Sequence, residues 1–419
     1  MRKTTAALLT GLAIAGVGAG LSAGLSTPAL AATATGQPVL GYSTWYEFHA
    51  NINEADVLAE GKALVSSGLA SSGYDYVDID DGWAAPARGA GDVLAADPAK
   101  FPHGISWLAA QLHAEGLKLG IYTAIGSRTC KGLPGSGGGS GPQYHYAQDA
   151  ATFASWGVDL VKVDECGGLP AGATTATVTQ DFRLFGADLK ADNPAIVYSE
   201  ELPIYVLGHN YPDPANMTAF LGTVQASKAF GGTWRITPDE LPASMAKPSA
   251  TVLAHLAADL HLHGFAGPGH WNDQDMVLTP EVPGFGWTDA AMQGQLAVWA
   301  EEASPLIVST NVASLSAAEL AMLKNPAMLA IDSSGAQAPS AITSGHIEAV
   351  MKNADGGKAV LLANLGTGTG SGKFTLAQLG LSGNRASGLN VWTGKTNTFS
   401  GVTVTMTAGQ TELYVIKSA

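Results

Sequence analysis

Eight short apolar runs alternate with amphipathic stretches between residues 39 and 310, and that alternation constrains the fold more than any other feature of the chain. The runs cover 39–45, 74–83, 118–125, 160–166, 195–202, 232–236, 264–271 and 305–310. Between them, over 53–70, 105–116, 149–157, 179–191, 250–264 and 289–303, apolar residues recur at three- and four-residue spacing, the mark of a helix with one buried face. Several of these stretches contain or end in glycine where a helix should stop. Strand-helix-strand repetition builds a parallel sheet, and eight repeats are the number that closes a (β/α)8 barrel. No Gly-rich phosphate loop follows the first strand, which argues against a dinucleotide-binding sheet.

After about Ala313 the texture changes to short strand-like pieces bounded by Gly, Asn and Ser, which predicts an antiparallel β-sandwich over 313–419. At the other end, Arg2 and Lys3 precede a Gly/Ala-rich apolar run that closes on Ala29-Leu30-Ala31, the pattern of a secretory signal peptide over 1–31. The predicted fold class is therefore α/β, a (β/α)8 TIM barrel over 32–312 followed by the β-sandwich, in an exported protein. A net charge of −14 excludes the basic surface that nucleic acid or an anionic membrane requires. The chain holds only two cysteines, Cys130 and Cys166, and in an oxidising compartment such a pair reads as a disulfide rather than a metal site.

Barrel chemistry sits at the C-terminal ends of the strands. The polar residues there are Trp45 and Glu47 on the first, Asp80 and Asp81 on the second, Tyr122 on the third, and Lys162 and Asp164 on the fourth. Glu200 and Glu201 follow on the fifth, Trp234, Arg235 and Asp239 at the sixth, and Asp273 and Asp275 at the seventh. Any single acid after a strand is equally well explained as a helix N-cap; convergence of acids at six strand ends is the signal. His270 is the only obvious histidine at a strand end and reads as a loop residue, so neither metal nor cofactor is expected. Trp45, Trp83, Trp234, Trp271, Tyr122 and Tyr205 accompany the acids, and aromatic faces with carboxylates and cations suit a sugar.

The stretch LVKVDECGG, 160–168, sharpens this reading. Lys162, Asp164 and Cys166 alternate along a strand and so share one face. Cationic Lys162 and Arg235 beside Asp164 would keep that carboxylate ionised, while a second carboxyl in a less cationic setting keeps its proton. Two carboxyl groups in different protonation states are what glycoside hydrolysis needs.

Residues 41–278 resemble the α-galactosidases of the melibiase family, retaining glycosidases built as a (β/α)8 barrel followed by an antiparallel β-domain. The resemblance rests on INEADVLAEGKALVSSGLASSGYDYVDIDDGWA, FPHGISWLAAQLHAEGLKLGIYTAIGSRTCKGLPGS, DAATFASWGVDLVKVDEC and GPGHWNDQDM, long blocks in the family's order. It implies that Asp164 in KVDEC is the nucleophile and Asp239 in WRITPDE the acid/base, with Glu240 adjacent as a rival acid. It further implies sugar-binding roles for Trp45, Asp80, Asp81, Tyr122, Lys162, Glu201, Arg235 and Asp275, and a structural disulfide between Cys130 and Cys166.

Glu201, Ile204 and Tyr205 fall on the loop after the fifth strand, which in this family meets the substituent at the sugar's C2. The Glu201 and Ile204 pair resembles the version that accepts a hydroxyl rather than an N-acetyl group, and Asp81 leaves room for a hydroxymethyl. The expected partner is therefore an α-galactoside. Isomalto-dextranases and β-L-arabinopyranosidases on the same scaffold are the alternatives within glycosidases, and a non-catalytic sugar-binding protein is the alternative outside them. A second disulfide of many relatives has no counterpart here, where HAN (49–51) and DDGW (80–83) stand instead.

Overall fold

The computed structural model describes residues 36–137, 145–167, 172–207, 217–239, 248–260, 262, 264–335, 340–354 and 356–419. The leader pattern over 1–31 and Glu240 lie outside the described residues. Eight parallel strands form one sheet: β1 (Leu40–Ser43), β2 (Tyr76–Ile79), β3 (Lys118–Ala124), β4 (Leu160–Asp164), β5 (Val197–Glu200), β6 (Thr233–Arg235), β7 (Trp271–Asp273) and β8 (Leu306–Val308). Neighbours follow chain order from β7 back to β1, and β1 then pairs with β8. Just past β7, Val277 forms a parallel bridge with Val308, its N–H reaching Ile307 O at 2.7 Å. That bridge carries the closure between the seventh and eighth staves.

The helices of this half are α1 (Trp45–Phe48), α2 (Glu54–Ser67), α3 (Ile105–Ala114), α4 (Tyr146–Trp156), α5 (Thr175–Asp192), α6 (Leu202–Leu207), α7 (Met217–Ser227), α8 (Pro248–Asp259) and α9 (Asp289–Glu302). Local chemistry sets their ends. Asn53 and Asp56 form a capping box at the start of α2, and Gly68 ends it at φ 79°, a conformation that costs glycine nothing. Thr174 and Thr177 form another such box at the start of α5, and the Thr288 hydroxyl caps α9 by accepting the Ala291 N–H.

Several elements differ from the sequence reading, among them the short helices α1 and α6, which stand where strand and loop were expected. The seventh strand occupies only 271–273, because 264–270 turns on itself through a Gly267–His270 bridge. An unexpected helix, α7, follows β5, its Phe220, Thr223, Val224 and Ser227 forming the buried face.

Beyond the barrel come α10 (Ala317–Leu323) and α11 (Pro326–Ser333), two helices where the sequence showed only strand-like texture. They are followed by β9 (Ser340–Ser344), β10 (Ile347–Ala354), β11 (Gly357–Asn364), β12 (Gly370–Thr375), β13 (Ala386–Asn390), β14 (Thr396–Phe399), β15 (Gly401–Met406) and β16 (Thr411–Ser418). Six of these form one antiparallel sheet in the order β14-β13-β16-β11-β10-β9, and β12 pairs with β15. Ile347, Val360 and Leu362 meet Phe374 and Met406 between the two sheets. The opposite face, through Val350, Leu361 and Leu413, joins the apolar core of the barrel. Among the described residues no helix is long and apolar enough to cross a membrane.

Candidate active site

The parallel strands aim their C-terminal residues at one mouth, and the acids noted in the sequence gather there. Lys162 Nζ from β4 lies 3.0 Å from Asp80 Oδ2, just past β2, and 3.3 Å from Glu201 Oε1, just past β5. Arg235, the last residue of β6, places Nη2 2.6 Å from Asp275 Oδ2 and 3.0 Å from Asp239 Oδ1, and Nη1 3.5 Å from Glu201 Oε1. Two cations thus tie together four carboxylates from four strand ends. Burial alone would lower the Lys162 pKa, but Asp80, Glu201 and Asp164 outweigh it and hold the ammonium well above its usual range. Burial pushes Asp275 up to about 6 against the pull of Arg235.

Asp164 is held differently. Its Oδ2 accepts the Tyr122 hydroxyl at 2.8 Å, and its Oδ1 accepts the Tyr205 hydroxyl and the Glu165 N–H, the latter at 2.7 Å. Burial, reinforced by nearby carboxylates including Asp164, raises both phenols, so they stay protonated and donate. The sequence suggested that Lys162 and Arg235 would sit on Asp164; instead their ion pairs are with the surrounding acids. Alternation puts Lys162 and Asp164 on one face, but barrel stagger brings Lys162 toward β2 and β5.

Cys130 and Cys166 form a disulfide beside this carboxylate, with Cys166 Sγ 3.4 Å from the Tyr122 hydroxyl. Asp81 Oδ2 accepts the Lys131 N–H at 2.8 Å, and the Asp81 N–H donates to Asp80 Oδ1. Asp164 is 8% exposed, whereas the Asp239 side chain is 53% exposed, so one carboxylate is deep and the other stands at the rim. Among the described residues the one clustering of three metal-type ligands is Cys130, Asp164 and Cys166, and its two sulfurs are consumed by the disulfide.

Three of the tryptophans noted in the sequence are core residues. Trp83, Trp234 and Trp271 are 2%, 0% and 0% exposed and offer no face to a ligand. Trp83 Nε1 donates to Tyr122 O and Trp234 Nε1 to Asn272 Oδ1. Trp45 remains half-buried at the mouth, with Lys131 Nζ 5.0 Å above its ring. Ile204 is buried in an apolar cluster with Phe220, Val224 and Trp234. Glu47 accepts the Asn311 N–H, Asp273 accepts the Asp275 N–H, and His270 Nδ1 lies 3.3 Å from Gly231 O.

Sequence reasoning also missed parts of the site. Tyr46 Oη donates to Asp275 Oδ2 at 3.3 Å, and Asp275 adopts φ 79°, a left-handed backbone that aims its carboxylate at Arg235. Tyr46 stood next to Trp45 in the sequence and could have been found by that neighbourhood; the Asp275 backbone left no signal. Where relatives of the family carry a second disulfide, Lys100 Nζ instead binds both Ala50 O and Gly82 O at 2.8 Å. Through these two carbonyls the ammonium joins the turn after the first strand to the turn after the second.

Fold and site together define a (β/α)8 barrel with an acid-lined mouth, carrying a C-terminal antiparallel β-domain. The melibiase family described as alpha galactosidase A matches residues 38–334, and the chain belongs to that family. It is 35% identical to "Alpha-galactosidase A" of Cellvibrio japonicus over 78% of this chain and 76% of that protein. It is 34% identical to "Probable alpha-galactosidase A" of Aspergillus fumigatus over 82% of this chain, but spans only 63% of that relative's length. The crystal structure of alpha-galactosidase I from Mortierella vinacea superposes with a TM-score of 0.77 at 25% identity, covering 92% of this chain and 98% of that one.

Proposed function

We propose that the protein is a secreted, retaining α-galactosidase that removes terminal α-D-galactosyl residues from oligosaccharides or polysaccharides. The observation that carries this reading is a deep carboxylate, Asp164, oriented by two tyrosine hydroxyls, in the same mouth as a rim carboxylate, Asp239, on Arg235. Asp164 attacks the anomeric carbon as the glycosidic C–O bond breaks, and Asp239 gives its proton to the departing oxygen. Water then attacks the glycosyl-enzyme, yields its proton to Asp239, and Asp164 leaves. Asp80, Asp81, Lys162, Glu201, Arg235 and Asp275 grip the sugar hydroxyls, Tyr122 and Tyr205 border them, Ile204 backs the C2 side, and Trp45 packs on an apolar ring face.

The working division of the chain is a leader over 1–31, a catalytic barrel over 32–312 and a β-domain over 313–419. Similarity to proteins named as α-galactosidases supports the substrate class.

Kinetics on a panel of aryl glycosides with dextran tests the reading. Aryl α-galactoside should be the preferred substrate; preference for a β-L-arabinopyranoside or for dextran moves the assignment to those alternatives. Asp164→Ala should abolish turnover while the protein stays folded. Azide should rescue Asp239→Ala but not Glu240→Ala, and the reverse pattern would transfer the acid/base role to Glu240. Sugar binding without any turnover would make the protein a lectin.

A further inference from the structure

Glu200 and Glu201 are consecutive, so the end of β5 sends one into the mouth and the other behind the strand. Glu201 meets Lys162 and Arg235. Glu200 is 0% exposed and turns to the start of α6, where its Oε2 accepts the Leu202 N–H at 2.6 Å. Gly231 leaves it room: a Cβ there would stand 3.3 Å from Glu200 Cγ and 3.5 Å from Oε1. Tyr205 lies one helical turn beyond Leu202, and its hydroxyl reaches Asp164 Oδ1. A short helix of six residues has little cooperativity of its own, so its direction depends on how its first turn is fastened.

We infer that Glu200 is a positioning residue for the reaction: by fastening the first N–H of α6 it fixes the angle at which Tyr205 presents its hydroxyl to Asp164. The inference rests on the reading of Asp164 as nucleophile. A carboxyl can serve in this dry position because burial pushes Glu200 up to about 8, against the pull of the Ser227 hydroxyl and the Leu202 N–H. That shift favours the uncharged form, which needs no counter-ion. The role differs from simple core packing, since an apolar side chain of the same size would leave the Leu202 N–H buried without a partner.

The test is a double-mutant cycle on kcat and KM for an aryl α-galactoside with Glu200→Met, Tyr205→Phe and the pair, together with Glu200→Gln and Asp164→Ala. Glu200→Met should lower kcat about tenfold with KM within twofold, and Glu200→Gln, whose amide oxygen still accepts the N–H, should stay within threefold of wild type. In the Tyr205→Phe background the Met substitution should cost less than a further twofold. Should the Met variant not fold, the same cycle with Glu200→Ala applies. Independent, multiplying losses, or a Gln variant as impaired as Met, overturn the inference while leaving the glycosidase reading intact. Retained turnover in Asp164→Ala overturns both.

Discussion

Lys162 and Asp80 face each other at 3.0 Å across the barrel mouth, from β4 and the end of β2, and Glu201 closes on the same ammonium from β5. Removing that ammonium leaves buried Asp80 without its cation and Glu201 with Arg235 alone. Lys162→Met is expected to cost about 3 kcal/mol of stability, the lower end for a broken buried ion pair because the side chain keeps some exposure. It should also reduce kcat/KM more than tenfold. Urea denaturation beside kinetics checks both, and a variant as stable as wild type would show that the carboxylates simply protonate.

Tyr122 supplies Asp164 with a hydrogen bond whose donor cannot be replaced by water in so buried a position. A hydrogen bond to a charged group contributes about 1.5–3 kcal/mol, which corresponds to a loss in kcat/KM of roughly 10- to 100-fold for Tyr122→Phe. The Trp83 anchor uses the Tyr122 backbone carbonyl and survives the change. The melting temperature should therefore move by only a few degrees. Activity within twofold of wild type would remove Tyr122 from the machinery.

The disulfide closes a loop with a sequence separation of 36 residues. Chain-entropy reasoning gives about 3–4 kcal/mol for a loop of that size. Because Cys166 Sγ also touches the Tyr122 hydroxyl, Cys130→Ser with Cys166→Ser should lose both stability and activity. Thermal melts and assays with and without reductant report it. A reduced protein that melts and turns over like the oxidised one would contradict the expectation.

Stability should be greatest on the acid side. Burial pushes Glu60 and Glu301 up to about 7, Asp78 and Glu200 up to about 8, and Asp181 up to about 6. Asp78 lies within β2, where it lines the barrel interior with Lys162, Ser199 and Arg235. In the unfolded chain these groups ionise near 4, so between roughly pH 4.5 and 8 the folded protein binds more protons than the unfolded chain and stability falls as pH rises. His255, which burial lowers to about 3, acts in the opposite sense below its ordinary range and offsets only one of them. Melting temperatures measured from pH 5 to pH 8 should decline, and a flat or rising series would count against the folded-state carboxyls being neutral.

Particular elements show where sequence reading reached and where it stopped. The eight staves were legible because apolar runs of strand length alternate with helix-period stretches, and the acids at their ends were legible because barrel topology makes every such end a neighbour of the others. The seventh strand was misplaced, since Gly267 and His270 carry a turn that an apolar window does not register. Helix α7 went unseen because its apolar face follows a Pro- and Asn-rich stretch that masks its start. Trp83, Trp234 and Trp271 looked available to a sugar, yet all three indoles are buried, and those of Trp83 and Trp234 donate to a backbone carbonyl and an amide oxygen.

By itself the sequence determined periodicity, strand count, the presence of a cysteine pair and which residue types stand at each strand end, all of which depend on spacing along one chain. Only the tertiary structure decided that Lys162 pairs with Asp80 and Glu201, that Tyr205 rather than a cation attends Asp164, and that Val277 closes the barrel on β8. Those choices depend on stagger between strands and on separations of a few ångströms between residues far apart in sequence, where a shift of one register position exchanges every partner.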